Sequence, residues 1–252
     1  MVPQARSWFI LLILTSGLGG CRMTWHEATH QYGQYQMDAS LESDSALSAY
    51  LLPFRERLDQ TMNDTIARVA RKLTLDKPES TLGNLLADLV LDAANRLSDQ
   101  PVDLAVLNYG GVRRSELAAG PLRVGMVFEL MPFDNQIAIV ELDAGGLTEL
   151  LQRIAGQNGW PISRTVRMQI RDGQPEAVLV NRVPIVTGRT YRVAMPDYIA
   201  HGGDRMTFLR DFPLQYTNVL IRDAILQYCR DQQALGMPVD AVLDGRIISS
   251  QE

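Results

Sequence analysis

Apolar residues recur every three or four positions in several stretches of the chain, which is the spacing of one buried helix face. The clearest stretch is 81–97, with leucine or valine at 82, 85, 86, 89 and 90 and Thr81 as a candidate N-cap. Residues 45–58, 145–155 and 219–233 are predicted as further helices. Pro53 is expected to kink or split the first of these.

Other stretches have the apolar runs and turn signals of β-strands. Their ranges are 102–107, 122–130, 136–142, 165–170, 177–180 and 190–195. Asp172-Gly173 is a hairpin signal, and Pro132–Asn135 is predicted to be a turn between two strands. Residues 65–75 fit a helix or a strand, because helical spacing and β-branched residues coexist there. The interspersed helices and strands, without a repeat or a linker, predict one domain of the α/β or α+β class.

The start of the chain has the pattern of a secretion signal. Arg6 precedes a short apolar run from Trp8 to Leu14, which is too short to cross a bilayer. Small residues directly before Cys21 resemble a bacterial lipobox. We therefore interpret residues 1–20 as a lipoprotein signal peptide, Cys21 as the lipidation site and residues 21–43 as a polar membrane tether.

Residues 26–30 read His-Glu-Ala-Thr-His, which matches the H-E-x-x-H pattern of zinc proteases. That pattern functions on a rigid helix held in a packed core. Here it follows the expected lipid anchor closely, its neighbours form no helical apolar stripe, and the one other histidine of the chain is His201. We interpret the string as a chance match in the tether.

Composition excludes several classes of protein. The chain of 252 residues is 46% hydrophobic and 21% charged, as in soluble globular domains. A net charge of −5 provides no basic surface for nucleic acid. There are two cysteines. Because one is the expected lipidation site, a disulfide framework is excluded and Cys229 is predicted to be a buried, unpaired thiol.

Two loops at predicted strand ends carry residue types that suit ligand binding. The first loop, 108–113, has two glycines that let its backbone approach a ligand, and Arg113 offers a fork of donors to a phosphate or carboxylate. The second loop, 131–135, has Phe133 at a turn and Asn135, whose amide can both donate to and accept from a base edge. Each loop alone is more typical of an ordinary turn. In the second loop, Phe133 would then be a core-capping residue and Asn135 a turn residue.

A third loop, 197–204, adds Tyr198, two glycines and Asp204. A carboxylate can accept hydrogen bonds from two hydroxyl groups, as in a ribose diol. Two aromatic rings on separate loops can hold a planar base between them. Together the three loops outline a nucleotide pocket, although the sequence does not show that they converge.

Four motifs resemble those of the C-terminal, substrate-binding domain of the 5′-nucleotidases and occur in the family's order. They are Glu79–Asp88 (ESTLGNLLAD), Gly110–Arg113 (GGVR), Pro132–Asn135 (PFDN) and Tyr191–Asp204 (YRVAMPDYIAHGGD). The resemblance covers roughly residues 44 to 235. It implies that residues 44–252 form one domain with a layered α/β/β/α arrangement.

The resemblance also implies a substrate-binding role for six side chains. Phe133 and Tyr198 match the rings that clamp the base, Asn135 and Asn108 match residues on the base or sugar side, Asp204 matches the ribose-binding aspartate, and Arg113 matches a phosphate-contacting arginine.

Four positions depart from the family pattern. Tyr109 replaces the first glycine of a triple, Tyr198 replaces a phenylalanine, and Arg205 replaces a glycine. Lys77 stands in a stretch where the family often carries arginines that hold phosphate. Phosphate binding is therefore expected to differ from the family more than base binding does.

The resemblance implies that hydrolysis needs another polypeptide. In the family, a separate N-terminal metallophosphatase domain holds two divalent metals with Asp, His and Asn. With three histidines, two of them in the expected tether, this chain cannot build such a site. We therefore expect no catalytic residue, metal site or other cofactor in this chain, and divalent metals in a partner metallophosphatase chain.

Two functions remain open. The chain is either the nucleotide-recognition subunit of a split 5′-nucleotidase or a non-catalytic lipoprotein that binds nucleosides or nucleotides. In both cases the expected location is the bacterial cell envelope. Arg22, rather than an aspartate, follows Cys21, and this resembles the sorting signal for the outer membrane facing the periplasm.

Overall fold

A computed structural model describes residues 33, 34, 38 and 41–250 of the chain. The predicted signal peptide, Cys21, the His26–His30 string and most of the predicted tether lie outside these residues. The chain divides after Ser48, and the unit that begins at Ala49 holds the whole site discussed below. Within the described part, no helix has the length and apolar character needed to cross a membrane.

The described residues form α-helices and β-strands joined by short loops and 3-10 turns. The helices are α1 (Ser45–Asn63), α2 (Thr81–Leu97), α3 (Val124–Leu130), α4 (Ala144–Ala155), α5 (Asp197–Ala200) and α6 (Ile221–Ala234). The strands are β1 (Thr65–Val69), β2 (Leu73–Thr74), β3 (Leu104–Ala105), β4 (Glu116–Leu117), β5 (Gly120–Arg123), β6 (Gln136–Leu142), β7 (Val166–Arg171), β8 (Gln174–Val180), β9 (Val183–Pro184), β10 (Tyr191–Pro196), β11 (Leu214–Leu220) and β12 (Ile247–Ser250).

Four strands form a sheet in the order β11-β6-β10-β3, in which β6, β10 and β3 are mostly buried and β11 is not. Strand β6 runs antiparallel to β10 and β11, and β10 runs parallel to β3. Successive side chains of β6 alternate between two cores, with Ile137 and Ile139 in one and Ala138 and Val140 in the other. Because both faces are covered, β6 has a continuous apolar run rather than an alternating pattern.

Helices and a second sheet cover the two faces of this sheet. Residues of α2, α3 and α6 form the core on one face. Residues of α4 and of the sheet β12-β7-β8-β9 form the core on the other. The predicted α/β class is therefore confirmed.

The α2 helix shows the predicted stripe but not the predicted cap. Its leucine and valine residues at 82, 85, 86, 89 and 90 are all buried. The N-cap is Ser80, whose Oγ accepts a hydrogen bond from the Gly83 amide at 3.1 Å. The Thr81 hydroxyl oxygen instead accepts from the amide of Thr74 at 2.9 Å and ties α2 to β2.

The predicted strand at 122–130 is wrong over most of its length. Strand β5 ends at Arg123, and residues 124–130 form α3. The buried residues of α3 are Val124, Val127 and Leu130, so burial recurs every third residue as on a helix face. The Pro132–Asn135 turn consequently joins a helix to a strand. The ambiguous stretch 65–75 forms β1 and β2, and β1 pairs with β5.

The α1 helix continues through Pro53 and is neither split nor buried. Five of its large apolar side chains form one stripe, and all five are exposed; they are Leu47, Tyr50, Leu51, Phe54 and Leu58. Met62, in its last turn, is partly buried and packs against the core of α2, α3 and α6.

Cys229 is a buried, free thiol in α6, as predicted. Burial disfavours the thiolate and raises the pKa of Cys229 to about 12, with Arg230 opposing the shift.

Candidate functional site

The topology of the central sheet brings the three loops to one edge. Strands β3 and β10 are parallel, so the loops that follow them leave from the same edge. Strand β6 is antiparallel to β10, and its first residues pair with the last residues of β10, Pro196 opposite Ile137. The loop that precedes β6 therefore meets the loop that follows β10.

These loops enclose a cavity of about 290 Å³. It is lined by Asn108, Gly110, Gly111, Phe133, Asn135, Tyr198 and Asp204. Five of the six predicted site residues are among these lining residues, and Arg113 is not. The volume is close to the lower end of the range for small-molecule sites, roughly 300–1,000 Å³.

Both aromatic rings of the cavity are accessible to solvent. Phe133 is 43% exposed and Tyr198 is 47% exposed, and neither belongs to one of the two cores. By contrast, the buried aromatic residue Trp160 is only 1% exposed. The alternative interpretation of Phe133 as a core residue is therefore wrong, and both rings are free to contact a ligand.

Asn108, Asp204 and Tyr198 form a chain of hydrogen bonds at the cavity. The Asn108 amide Nδ2 donates to Asp204 Oδ2 at 2.6 Å, and the Tyr198 hydroxyl donates to Asp204 Oδ1 at 3.1 Å. Since a carboxylate can only accept, the Asn108 NH₂ group must face Asp204.

The orientation of Asn108 leaves one acceptor without a partner. Asn108 is 3% exposed, and its Oδ1 is buried with no hydrogen-bond partner. A buried polar atom without a partner costs about 1–3 kcal/mol.

The loop that carries Asp204 has an uncommon backbone. Asp204 and Arg205 have φ values of 49° and 67°, in the left-handed region that non-glycine residues rarely occupy. The Arg153 guanidinium donates to the Arg205 carbonyl at 3.0 Å and supports this turn. A side chain at Gly203 would place its Cβ 2.5 Å from the Tyr198 ring, so only glycine fits there.

Backbone contacts connect the second loop to its neighbours. The Gln136 amide donates to Asp197 Oδ1 at 3.2 Å, which joins the second and third loops. The Asn135 carbonyl accepts from the Ile221 amide at 2.9 Å, at the start of α6.

Arg113 lies beside the cavity rather than in its wall. Its side chain is exposed, and its guanidinium carbon is 5.9 Å from the centroid of the Phe133 ring. The Arg113 amide donates to the Leu130 carbonyl at 2.9 Å.

Tyr109 and Lys77 bind other parts of the protein. The Tyr109 hydroxyl donates to the carbonyl of Asp76, and burial, with the charge of Asp76, raises the pKa of Tyr109. The Lys77 ammonium donates to the Gln157 carbonyl at 2.6 Å and lies 4.8 Å from the centroid of the Tyr109 ring. Neither residue is in the wall of the cavity.

Arg222 is a neighbour of the site that the sequence did not indicate. It lies in α6 and donates to the carbonyls of Pro132 and Phe133 and to the carboxylate of Asp134. These contacts join residues that are far apart in sequence, so no local sequence pattern around Arg222 predicts them.

The described residues contain no group of three or more His, Cys, Asp or Glu side chains placed to hold a metal ion. His201, the one histidine in that part of the chain, has its Nε2 2.6 Å from the Tyr216 hydroxyl.

Comparison with known proteins identifies the domain. The family model described as "5'-nucleotidase, C-terminal domain" matches residues 60–211. A 5′-nucleotidase of Vibrio cholerae is 26% identical over 211 residues, and a 5′-nucleotidase of Vibrio vulnificus is 26% identical over 197 residues. These alignments cover 80% and 75% of this chain but 36% and 34% of the relatives. The chain thus spans about a third of the length of these curated relatives.

Solved structures have the same fold. A 5′-nucleotidase precursor from Thermus thermophilus matches with a TM-score of 0.69 and 25% identity, over 81% of this chain and 43% of that protein. The NAD nucleotidase of Haemophilus influenzae matches with a TM-score of 0.61 and 14% identity, over 82% of this chain and 42% of that protein. At that identity the second match concerns the fold alone.

Proposed function

Because this chain belongs to the family of 5′-nucleotidase C-terminal domains, we propose that its cavity binds a nucleoside or nucleotide and that the chain is the recognition subunit of a split 5′-nucleotidase. One observation carries the proposal. Two solvent-accessible aromatic rings and three polar side chains from separate loops line a single cavity.

The cavity offers complementary contacts to a base and a sugar. Phe133 and Tyr198 stack on the base, an interaction worth roughly 1–3 kcal/mol per base in nucleic-acid-binding proteins. Asp204 accepts hydrogen bonds from ribose hydroxyls, and Asn108, which lines the same cavity and donates to Asp204, lies on the sugar or base side. The Asn135 amide reads the edge of the base.

Arg113 binds the phosphate at the edge of the cavity. Its exposed guanidinium beside Phe133 is within reach of an anion attached to a nucleoside whose base lies on that ring. Lys77 contributes less, since its ammonium is already bound to Gln157.

Hydrolysis in this proposal belongs to a second chain. A metallophosphatase chain supplies the divalent metals and docks against the cavity. The recognition subunit contributes binding energy from base and ribose, which holds the phosphate in position for the partner's metals.

The envelope location is part of the same proposal. Lipid on Cys21 anchors the chain, in the outer membrane facing the periplasm, and residues 21–43 act as the tether. A Cys21→Ser variant is expected to leave the membrane fraction with its melting temperature unchanged. Mass spectrometry that finds an unmodified Cys21 would contradict the anchor.

A stand-alone binding lipoprotein is the alternative function. It uses the same cavity, with Phe133, Tyr198 and Asp204 in its wall. Such a protein would bind the same compounds and would need no partner.

A binding panel tests the proposal. We expect purified chain to bind at least one of the common nucleosides or their 5′-monophosphates in thermal-shift and calorimetric titrations. Arg113→Ala should weaken binding of the monophosphate and spare the nucleoside. No binding by any member would refute the nucleotide proposal. Binding that is unaffected by a metallophosphatase encoded nearby, with no complex formed, would favour the stand-alone alternative.

A further inference from the structure

Every residue of the Pro132–Asn135 motif is bonded to the first turn of α6. Arg222 donates from Nη1 to the carbonyls of Pro132 and Phe133 at 3.2 and 3.5 Å, and from Nη2 to Asp134 Oδ1 at 2.6 Å. The Ile221 amide donates to the Asn135 carbonyl at 2.9 Å. The loop is therefore fixed by one helix end through several hydrogen bonds.

The two sides of this contact differ in burial. Arg222 is 9% exposed, and its guanidinium lies 4.5 Å from the centroid of the Phe128 ring in α3. The side chain of Asp134 is 77% exposed. Burial of a guanidinium costs free energy unless its N–H groups are hydrogen-bonded. The loop conformation that provides acceptors for Arg222 is therefore strongly favoured.

Phe133 has few other contacts that could fix its position. Its ring is nearly half exposed and lies outside both cores. The Arg113 guanidinium near the ring is itself exposed. Packing alone therefore does not hold the ring at the cavity, whereas the backbone of its loop is bonded directly to Arg222.

We propose that Arg222 is a positioning residue for Phe133, so that this arginine of the last helix sets the affinity for the base without touching it. The inference rests on the proposed nucleotide site. Arg222 also lies beyond residues 60–211, the part of the chain that the family model matches.

Arg192 provides a matched control. It is 8% exposed, close to the value for Arg222, and both have a buried Nε without a hydrogen-bond partner. Arg192 bonds to Ser98, to the Gln100 carbonyl and to Gln215, none of which lines the cavity. Replacing either arginine removes a buried guanidinium, but only Arg222 contacts the Phe133 loop.

The first experiment is calorimetric titration with adenosine, guanosine, cytidine and uridine. For whichever nucleosides bind, Arg222→Met should weaken the affinity by about three- to tenfold, a fraction of the stacking contribution. Arg192→Met should change it less than about twofold. In a Phe133→Ala background the effect of Arg222→Met should vanish, because the two residues act on one contact.

The second measurement needs no ligand. With 4-fluorophenylalanine at position 133, the ¹⁹F resonance should shift and narrow in Arg222→Met and stay unchanged in Arg192→Met. If Arg222→Met does not fold, Arg222→Lys and Asp134→Asn replace it, since each removes only part of the contacts of the guanidinium. Both variants should change the ¹⁹F resonance in the same direction by a smaller amount.

The outcomes separate the two proposals. If the parent protein binds neither a nucleoside nor a 5′-monophosphate, the proposed function fails and the ¹⁹F spectra alone decide the role of Arg222. If it binds but Arg222→Met and Arg192→Met behave alike, or the effect of Arg222→Met persists without Phe133, Arg222 is a structural residue and the inference is overturned. An unchanged ¹⁹F resonance also overturns it.

Discussion

Phe133 and Tyr198 combine large apolar area with high exposure, while Asn108 and Asp204 form a chain of hydrogen bonds with the Tyr198 hydroxyl. An exposed ring contributes little to folding but is available to stack on a base. Asp204 is held by Asn108 and by Tyr198, so its carboxylate is oriented before any ligand arrives. Preorganisation of this kind reduces the entropy lost on binding.

Replacing either ring should affect binding far more than folding. We expect Phe133→Ala and Tyr198→Ala each to weaken nucleoside binding by about 1–3 kcal/mol. The free energy of unfolding should fall by much less than the roughly 3–5 kcal/mol typical of a truncated core aromatic. Calorimetric titration beside melting curves measures both quantities. Unchanged affinity in both variants would end the stacking model.

Removing the Asp204 carboxylate should discriminate between sugars. Hydrogen bonds to a charged group contribute about 1.5–3 kcal/mol, so Asp204→Ala should cost a ribonucleoside an amount in that range. A 2′,3′-dideoxynucleoside has no hydroxyl donors for Asp204 and should lose clearly less. Titration of the two compounds against parent and variant compares the losses. Equal losses would mean that Asp204 does not bind the sugar.

At the scale of elements, the Glu79–Asp88 motif at the start of α2 is bonded to the segment that precedes β12. Glu79 accepts hydrogen bonds from Asn84 and from the amides of Asp244 and Gly245. Asp88 accepts from both Nη atoms of Arg246. This motif therefore holds the segment before β12 in place, and its residues are absent from the wall of the cavity.

Helices α1 and α2 both have an apolar stripe, but only the stripe of α2 is buried. We therefore expect Leu86→Ala in α2 to lower the free energy of unfolding by about 2–5 kcal/mol. Leu51→Ala in α1 should change it by about 0.5 kcal/mol or less. Urea unfolding of the two variants measures the contrast. A comparable loss for Leu51→Ala would mean that α1 is packed in solution.

At the scale of the whole molecule, the proposed function divides recognition and hydrolysis between two chains. The sequence spans 36% of the length of the Vibrio cholerae relative and contains three histidines. A two-metal phosphatase site requires a shell of several nitrogen and oxygen ligands around both ions. The proposal places that shell in a partner chain.

The purified chain alone should therefore fail to hydrolyse AMP or a generic phosphomonoester in the presence of Mn²⁺, Mg²⁺, Zn²⁺ or Co²⁺. Phosphate release assays with and without a candidate metallophosphatase chain measure the difference. Metal-dependent turnover that remains with this chain through repeated purification would contradict the proposal that hydrolysis belongs to a second chain.

Much of the fold follows from patterns that the sequence displays locally. Helices α2, α4 and α6, strand β6 and the hairpin of β7 and β8 are predicted within a few residues, because their periodicity or turn signals are strong. The ordered motifs identified the family for the same reason, since they are local strings. Five of the six candidate site residues also line one cavity.

The tertiary structure decided what depends on contacts between distant residues. The run 124–130 became α3 rather than a strand, since a short apolar run suits either and only packing selects one. Ser80 rather than Thr81 caps α2, because Thr81 is bonded to β2. The exposure of Phe133 and its connection to Arg222 depend on how α6 packs beside the sheet edge. Sequence spacing carries no information on that contact, since it joins residues 89 positions apart.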